Sequence, residues 1–171
     1  MSRAEDEVSR LLAGASETMK SARCCWLVTS TEAGGVDARP MGRLPPDPDD
    51  SEWTLRFITD ARSHKTSEIR RAGTVAVIFQ HNTDDAYVTV VGAGSVHDSA
   101  AEVRRRWKPG YDPFFPSETD KANAIFVEVD ARRLELWIRG VTPEPFAMQT
   151  TVLERDASGA WRLAGGEGAA A

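Results

Sequence analysis

The stretch Trp53-Thr-Leu-Arg-Phe-Ile-Thr-Asp-Ala-Arg-Ser-His-Lys65 decides how this chain is read. Residues 53–59 alternate bulky with smaller side chains at the two-residue period of a β-strand. Thr59 leads into a short polar turn. Ser63 then stands where an N-cap opens a helix running through Lys65, Glu68 and Ile69 towards Gly73, a residue suited to a left-handed C-terminal position. A strand end therefore meets a helix start across a junction loaded with hydroxyls and cations.

Working outward, residues 4–21 place Val8, Leu11, Leu12, Ala15 and Met19 on one helical stripe, which predicts an amphipathic lead helix. The apolar run at 24–28, the Gly34-Gly35 turn and residues 36–41 read as a hairpin, and the proline-dense loop at 45–50 as the tip before the strand at 53–59. Beyond Gly73, the β-branched runs 75–79 and 87–92 form a strand pair across the turn-rich residues 82–85. Asp98 or Ser99 starts a third helix through Trp107, with Ser99 and Glu102 spaced as a capping box, and Pro109, Gly110, Pro113 and Pro116 enforce a loop. Strands are expected at 124–129, 133–138, 147–155 and 160–163, then a tail at about 165–171 whose end frays.

About eight short strands with three helices, spaced without strand–helix alternation, predict a mainly β (α+β) fold: a closed or partly closed antiparallel β-barrel with peripheral helices. No repeat or low-complexity linker divides the chain, so residues 1–171 read as a single domain. With 21 Lys+Arg against 26 Asp+Glu, the net charge of −5 argues against a binder that works by neutralising nucleic-acid phosphates. No apolar run approaches the length of a membrane span, and the acidic start at Glu5, Asp6 and Glu7 lacks a secretory pattern, so a cytoplasmic location with neither nucleic-acid nor membrane partner is expected. Cys24 and Cys25 are neighbours in an apolar run, and His64, His81 and His97 stand far apart; no metal is expected.

The junction at 59–65 has the chemistry of a phosphate clamp. Free N–H groups and the positive dipole end lie at a helix N-terminus, and the Thr59 and Ser63 hydroxyls and the Lys65 ammonium add donors for a dianion. Arg39 adds a bidentate guanidinium if its strand neighbours this one. Residue types alone favour the plainer reading, with Ser63 a simple cap, Lys65 a solvated helix residue and Arg39 a surface charge.

The order of motifs changes that balance: Arg39-Pro-Met41, Phe57-Ile-Thr59, Ser63-His-Lys65, Glu68-Ile69, a valine-rich strand ending in Phe79, then Val88-Thr-Val-Val-Gly-Ala-Gly-Ser-Val96. Over most of residues 16–140 this order resembles the pyridoxamine 5'-phosphate oxidase-like flavin-binding split-barrel family. Trp107, Pro109, Phe114-Phe-Pro116 and Asp120 resemble its general stress protein 26 branch, while Leu134-Glu-Leu-Trp137 and Gly159-Ala-Trp-Arg-Leu163 resemble a late tryptophan strand and closing hairpin. The resemblance implies an antiparallel split β-barrel that binds FMN, with FAD as a possibility. It implies that Arg39, Ser63 and Lys65 hold the phosphate with His64 beside them, and that Ile58, Thr59 and the backbone through Pro40, Met41 and Arg43 border the isoalloxazine. It implies a homodimer in which Trp137 approaches the cofactor of the other subunit. Taken on its own, Trp137 reads equally as a core or interface aromatic. Tyr87 stands where the oxidase has a glutamine near the flavin.

A bound flavin supplies the redox chemistry itself. The leading expectation is therefore an FMN-dependent oxidoreductase acting on a small molecule. Authentic pyridoxamine phosphate oxidation is not expected, because the family's Arg-x-His substrate signature is missing where Thr142-Pro-Glu-Pro-Phe-Ala-Met-Gln149 stands. The alternatives are a non-catalytic flavin-binding stress-response protein and a deazaflavin-dependent reductase. No residue stands out as catalytic.

Overall fold

The amphipathic stripe of the N-terminal segment folds as α1, Arg3–Ser21, which buries Leu11, Ala15 and Met19. A computed structural model describes residues 3–164 of the protein; the tail expected at 165–171 lies outside them. After α1 come β1 (Cys25–Ser30), β2 (Val36–Met41), β3 (Thr54–Asp60), α2 (His64–Ala72), β4 (Thr74–His81) and β5 (Ala86–His97). The order continues with α3 (Ala100–Arg106), α4 (Glu118–Ala122), β6 (Ala124–Ile138), β7 (Thr151–Arg155) and β8 (Trp161–Leu163).

Every pairing in the sheet is antiparallel, and the strand path runs β2-β1-β4-β5-β6-β7-β8, with β3 attached to β6 alone. The fifteen-residue β6 causes this branching. One of its edges follows β5 from Phe126 to Ile138, while the other is shared: β3 pairs with residues 124–130 and β7 with residues 133–136. The sequence reading of two strands, 124–129 and 133–138, is therefore corrected to one. The register with β5 shifts by one between Val91 and Gly92, because Arg132 of β6 is an extra residue with no partner on β5. A Cβ on Gly92 would lie 2.3 Å from the Asp130 carbonyl oxygen, so only glycine lets the strands approach there.

Alternation sets the layers. Leu27, Leu55, Phe57, Val77, Val88, Val90, Leu134 and Leu136 point inward and are fully buried, joined by Leu11, Ala15 and Met19 of α1. The opposite face is half-exposed. The register carries one row across it from Pro40 through Trp26, Ile78 and Thr89 to Glu135, with Tyr87 and Trp137 paired alongside.

Other expected boundaries shift. The strand at 87–92 extends to His97, and the one at 147–155 begins only at Thr151. The third helix stops at Arg106, and its capping box does not form: Ser99 makes no side-chain cap and Glu102 pairs with His97 and Arg106 instead. The proline-rich loop contains a 3-10 turn, Pro109–Phe114, and a helix not foreseen, α4, capped by Ser117. No helix among the described residues is long and apolar enough to cross a membrane.

Candidate functional site

Two strand edges and one helix start frame the site. Among the described residues β2 pairs only with β1 and β3 only with β6, so each has an edge without a ladder there. A single bridge, Leu44 to Arg56, ties the chain beyond β2 to β3. Continued at that antiparallel register, Met41 would face Thr59 and Pro40 would face Asp60; these pairs do not form. The barrel is thus split where Pro40 and Met41 stand on one side and Ile58 and Thr59 on the other. Ile58 is half-exposed on the outer side of β3, whereas Thr59 is buried.

At one end of this split lies the start of α2. Ser63 occupies the N-cap position but does not cap with its side chain, correcting the simple-cap reading. Its hydroxyl donates to the Asp60 carbonyl at 2.7 Å and lies 3.2 Å from the Thr66 hydroxyl. Its N–H bonds back to Asp60, and the Thr66 N–H takes the Ser63 carbonyl. The first-turn amides of His64 and Lys65 have no acceptor among the described residues, as expected where a helix begins. The His64 side chain is exposed.

Arg39 reaches this helix by a route the sequence did not show, since β2 and β3 are not paired. Its Nη1 donates to the Thr29 hydroxyl at 2.6 Å and its Nη2 to Glu68 Oε2 at 3.2 Å, with Asp37 at 3.4 Å. Thr29 in turn donates to the same Glu68 oxygen at 2.5 Å. The Thr29 hydroxyl, and with it Arg39, holds the Glu68 carboxyl below its ordinary range despite burial. Glu68 thereby fixes the guanidinium in place.

Lys65 is the unbalanced member. It is half-buried, makes no ion pair among the described residues, and sits within electrostatic reach of Arg39. Burial, and after it the Arg39 charge, depress its pKa, with Asp60 and Glu68 only partly offsetting them. The neighbouring Asp60 is pulled down to about 2, first by the hydrogen bonds it accepts from Arg62, so this carboxylate is already compensated. The cluster thus offers one oriented guanidinium, one ammonium without a counter-ion and two unsatisfied N–H groups, a donor set that suits a phosphate dianion.

Residues 12–152 match the model of the family described as pyridoxamine 5'-phosphate oxidase like. The chain belongs to the pyridoxamine 5'-phosphate oxidase-like family. Among solved structures of this fold, one is a protein related to general stress protein 26 of Bacillus subtilis, from Clostridium acetobutylicum. It is 14% identical with a TM-score of 0.68, over 85% of this chain and 94% of that one. A pyridoxamine 5'-phosphate oxidase-related, FMN-binding protein from Nostoc punctiforme is 15% identical with a TM-score of 0.66, over 96% of both chains. PhzG from Burkholderia lata, solved with tetrahydrophenazine-1-carboxylic acid, is 14% identical with a TM-score of 0.63, over 94% of this chain and 90% of that one. Among curated proteins none matches. The antiparallel split barrel expected from the sequence is the fold these structures share.

Within this family member Ser63, His64 and Lys65 stand at the start of α2, Arg39 bonds the same helix at Glu68 within electrostatic reach of Lys65, and Pro40, Met41, Ile58 and Thr59 stand on β2 and β3, which do not pair. Trp137 is apart from them in the same chain: it lies on the outer sheet face opposite Tyr87, whose other neighbour is Gln80. Sequence reasoning missed Thr29 and Glu68 as parts of the site. The signal was present, because Glu68 lies one helical turn from Lys65 and Thr29 shares the inward face of β1 with Cys25 and Leu27.

Proposed function

We propose that the chain binds FMN and works as a flavin-dependent oxidoreductase on a small molecule, in the manner of the general stress protein 26 branch. The observation that carries this reading is the counter-ion-free, half-buried Lys65 beside an Arg39 already oriented by Glu68, at a helix start whose amides are unsatisfied. A charge left in that condition fits an anion better than it fits solvent. In this reading Arg39, Ser63, His64 and Lys65 hold the ribityl phosphate. Ile58, Thr59 and the Pro40–Met41 backbone offer their unpaired edges to the polar rim of the isoalloxazine. When bound, the flavin supplies the electron-transfer chemistry. The protein's own task is to fix the phosphate, exclude water from one face of the ring and leave room for a reactant.

The same reading includes a homodimer. Trp26 is 45% and Val36 70% exposed, and with Val28, Ile78, Tyr87, Val91 and Trp137 they make an apolar band on the outer face of the sheet. Bands of this kind mark association surfaces. A second copy seated there covers Trp26 and carries Trp137 towards the flavin of its partner.

An absorption spectrum of the purified protein, with mass analysis of what denaturation releases, tests the proposal. Bands of an oxidised flavin and a released mass of FMN are expected. A colourless protein that takes up neither FMN, FAD nor a deazaflavin refutes it. Oxidation of reduced nicotinamide nucleotide by the loaded protein, with a quinone or dye as acceptor, separates an oxidoreductase from a flavin binder without turnover.

A further inference from the structure

A second concentration of positive charge lies outside α2. Where α1 ends, β1 begins and the chain leaves β2, a cavity of about 230 Å3 is lined by Lys20, Arg23 and Arg43 together with Met19, Leu44 and Phe79. Among the described residues no Asp or Glu lines it, although the chain as a whole carries a net charge of −5. Lys20 and Arg23 are exposed and make no ion pair among the described residues. Arg43 is anchored by a single bond from Nη2 to the Glu52 carbonyl at 3.1 Å, while its Nε is buried without any partner. The nearby Glu52 carboxylate accepts from Ser16 at 2.6 Å, and its charge offsets part of the burial of Arg43.

We infer that this cavity binds a small molecule carrying one anionic group, a carboxylate or a phosphate monoester, on a single ring or short apolar chain. The three cations receive the anion, and Met19, Leu44 and Phe79 receive the apolar body. The volume falls below the roughly 300–1,000 Å3 of drug-sized sites, which limits the body to about one ring. No residue of α2 lines the cavity, whereas Arg43, whose backbone the family resemblance sets beside the isoalloxazine, does.

The cavity carries its own reporter. Cys24 is exposed and lies in its wall, whereas Cys25 is buried, donates to the Met41 carbonyl and has its thiol pushed up to about 12, first by burial. Neutral maleimide at neutral pH therefore reads Cys24. Its labelling rate is to be measured on the full chain with benzoate, phenyl phosphate and uncharged benzamide as probes. Saturable protection by either anion, with benzamide ineffective, is the expected result, and the tighter anion names the group. In Lys20→Gln/Arg23→Gln, a change of exposed residues, the half-protecting concentration should rise about tenfold or more, with Arg43→Gln as a second variant. Protection by benzamide equal to that by benzoate, no protection by either anion at millimolar concentration, or protection unchanged in the double variant overturns the inference. So does protection by riboflavin 5'-phosphate that Lys65→Met abolishes, because the cavity would then be the end of the flavin split.

Discussion

Replacing Lys65 by methionine should move stability and flavin affinity in opposite directions. In the ligand-free protein the ammonium is half-buried, has no ion pair among the described residues and is repelled by Arg39, so its charge works against folding. Methionine keeps the length of the side chain and removes that charge; the unfolding midpoint should stay level or rise. With FMN the sign reverses. A hydrogen bond to a charged group contributes about 1.5–3 kcal/mol, and each ~1.4 kcal/mol is tenfold in affinity, so Kd should rise roughly 10- to 150-fold. Quenching of flavin fluorescence gives the affinity, and thermal or urea unfolding of the flavin-free protein the stability. Arg39→Met is the contrasting variant: it leaves Glu68 and Thr29 without their cation, so affinity and stability should fall together, stability by ~1–3 kcal/mol. A Lys65→Met protein that binds FMN as tightly as the parent would falsify the phosphate assignment, whatever its stability.

The remaining expectations address the interface, the bulge and the ion pairs. Trp26→Asp, placed on the half-exposed sheet face, should convert a dimer to monomers in sedimentation with unchanged circular dichroism, and Trp137→Ala should release flavin more readily; a dimer surviving Trp26→Asp moves the interface elsewhere. Gly92→Ala should cost ~2 kcal/mol or more in urea unfolding, since its Cβ would collide with the Asp130 carbonyl, and a cost near zero would mean that β5 and β6 can separate there. Glu68 and Glu128 both titrate below their ordinary 4.5, so their pairing stabilises the fold above that pH and is lost as pH falls through their lower folded values. Acid unfolding should therefore show a loss of stability below about pH 4.5 that Glu128→Gln blunts; an identical slope in that variant assigns the loss to other carboxylates.

The strands and the junction were legible because their signals are local. Two-residue alternation marks β3, compact apolar and β-branched runs mark β1 and β4, and Gly73, at φ 69° with its N–H on the Ile69 carbonyl, ends α2 where the sequence placed a left-handed residue. What the sequence hid is non-local. Asp130-Ala131-Arg132 reads as a break between two strands, yet β6 runs through it, with Arg132 accommodated as an extra residue opposite the Val91–Gly92 step of β5. Glu102 has the spacing of a capping box with Ser99, but the His97 ring and the Arg106 guanidinium take its carboxylate instead. The Thr29–Glu68 contact spans 39 residues, and a glutamate in a short helix ordinarily reads as solvated. Only folding, which lays α2 against β1, makes Glu68 the carboxylate that orients Arg39.

The split in the barrel and the proposed ligand answer one physical problem. A strand edge exposes N–H and C=O groups that seek partners, and here two such edges stand beside each other, tied only at Leu44 and Arg56. Closing the gap with a further ladder is hindered on the β2 side, because Pro40 brings no N–H to either edge. A flat heteroaromatic ring with donors and acceptors on its rim can satisfy such edges without requiring the strands to meet, provided something fixes its position along them. The cations at the head of α2 lie where they can hold a phosphate tail, and a tail so anchored sets how far the ring extends towards Met41 and Thr59. On this account the missing ladder is what selects a planar ligand, and the charge cluster is what selects a phosphorylated one.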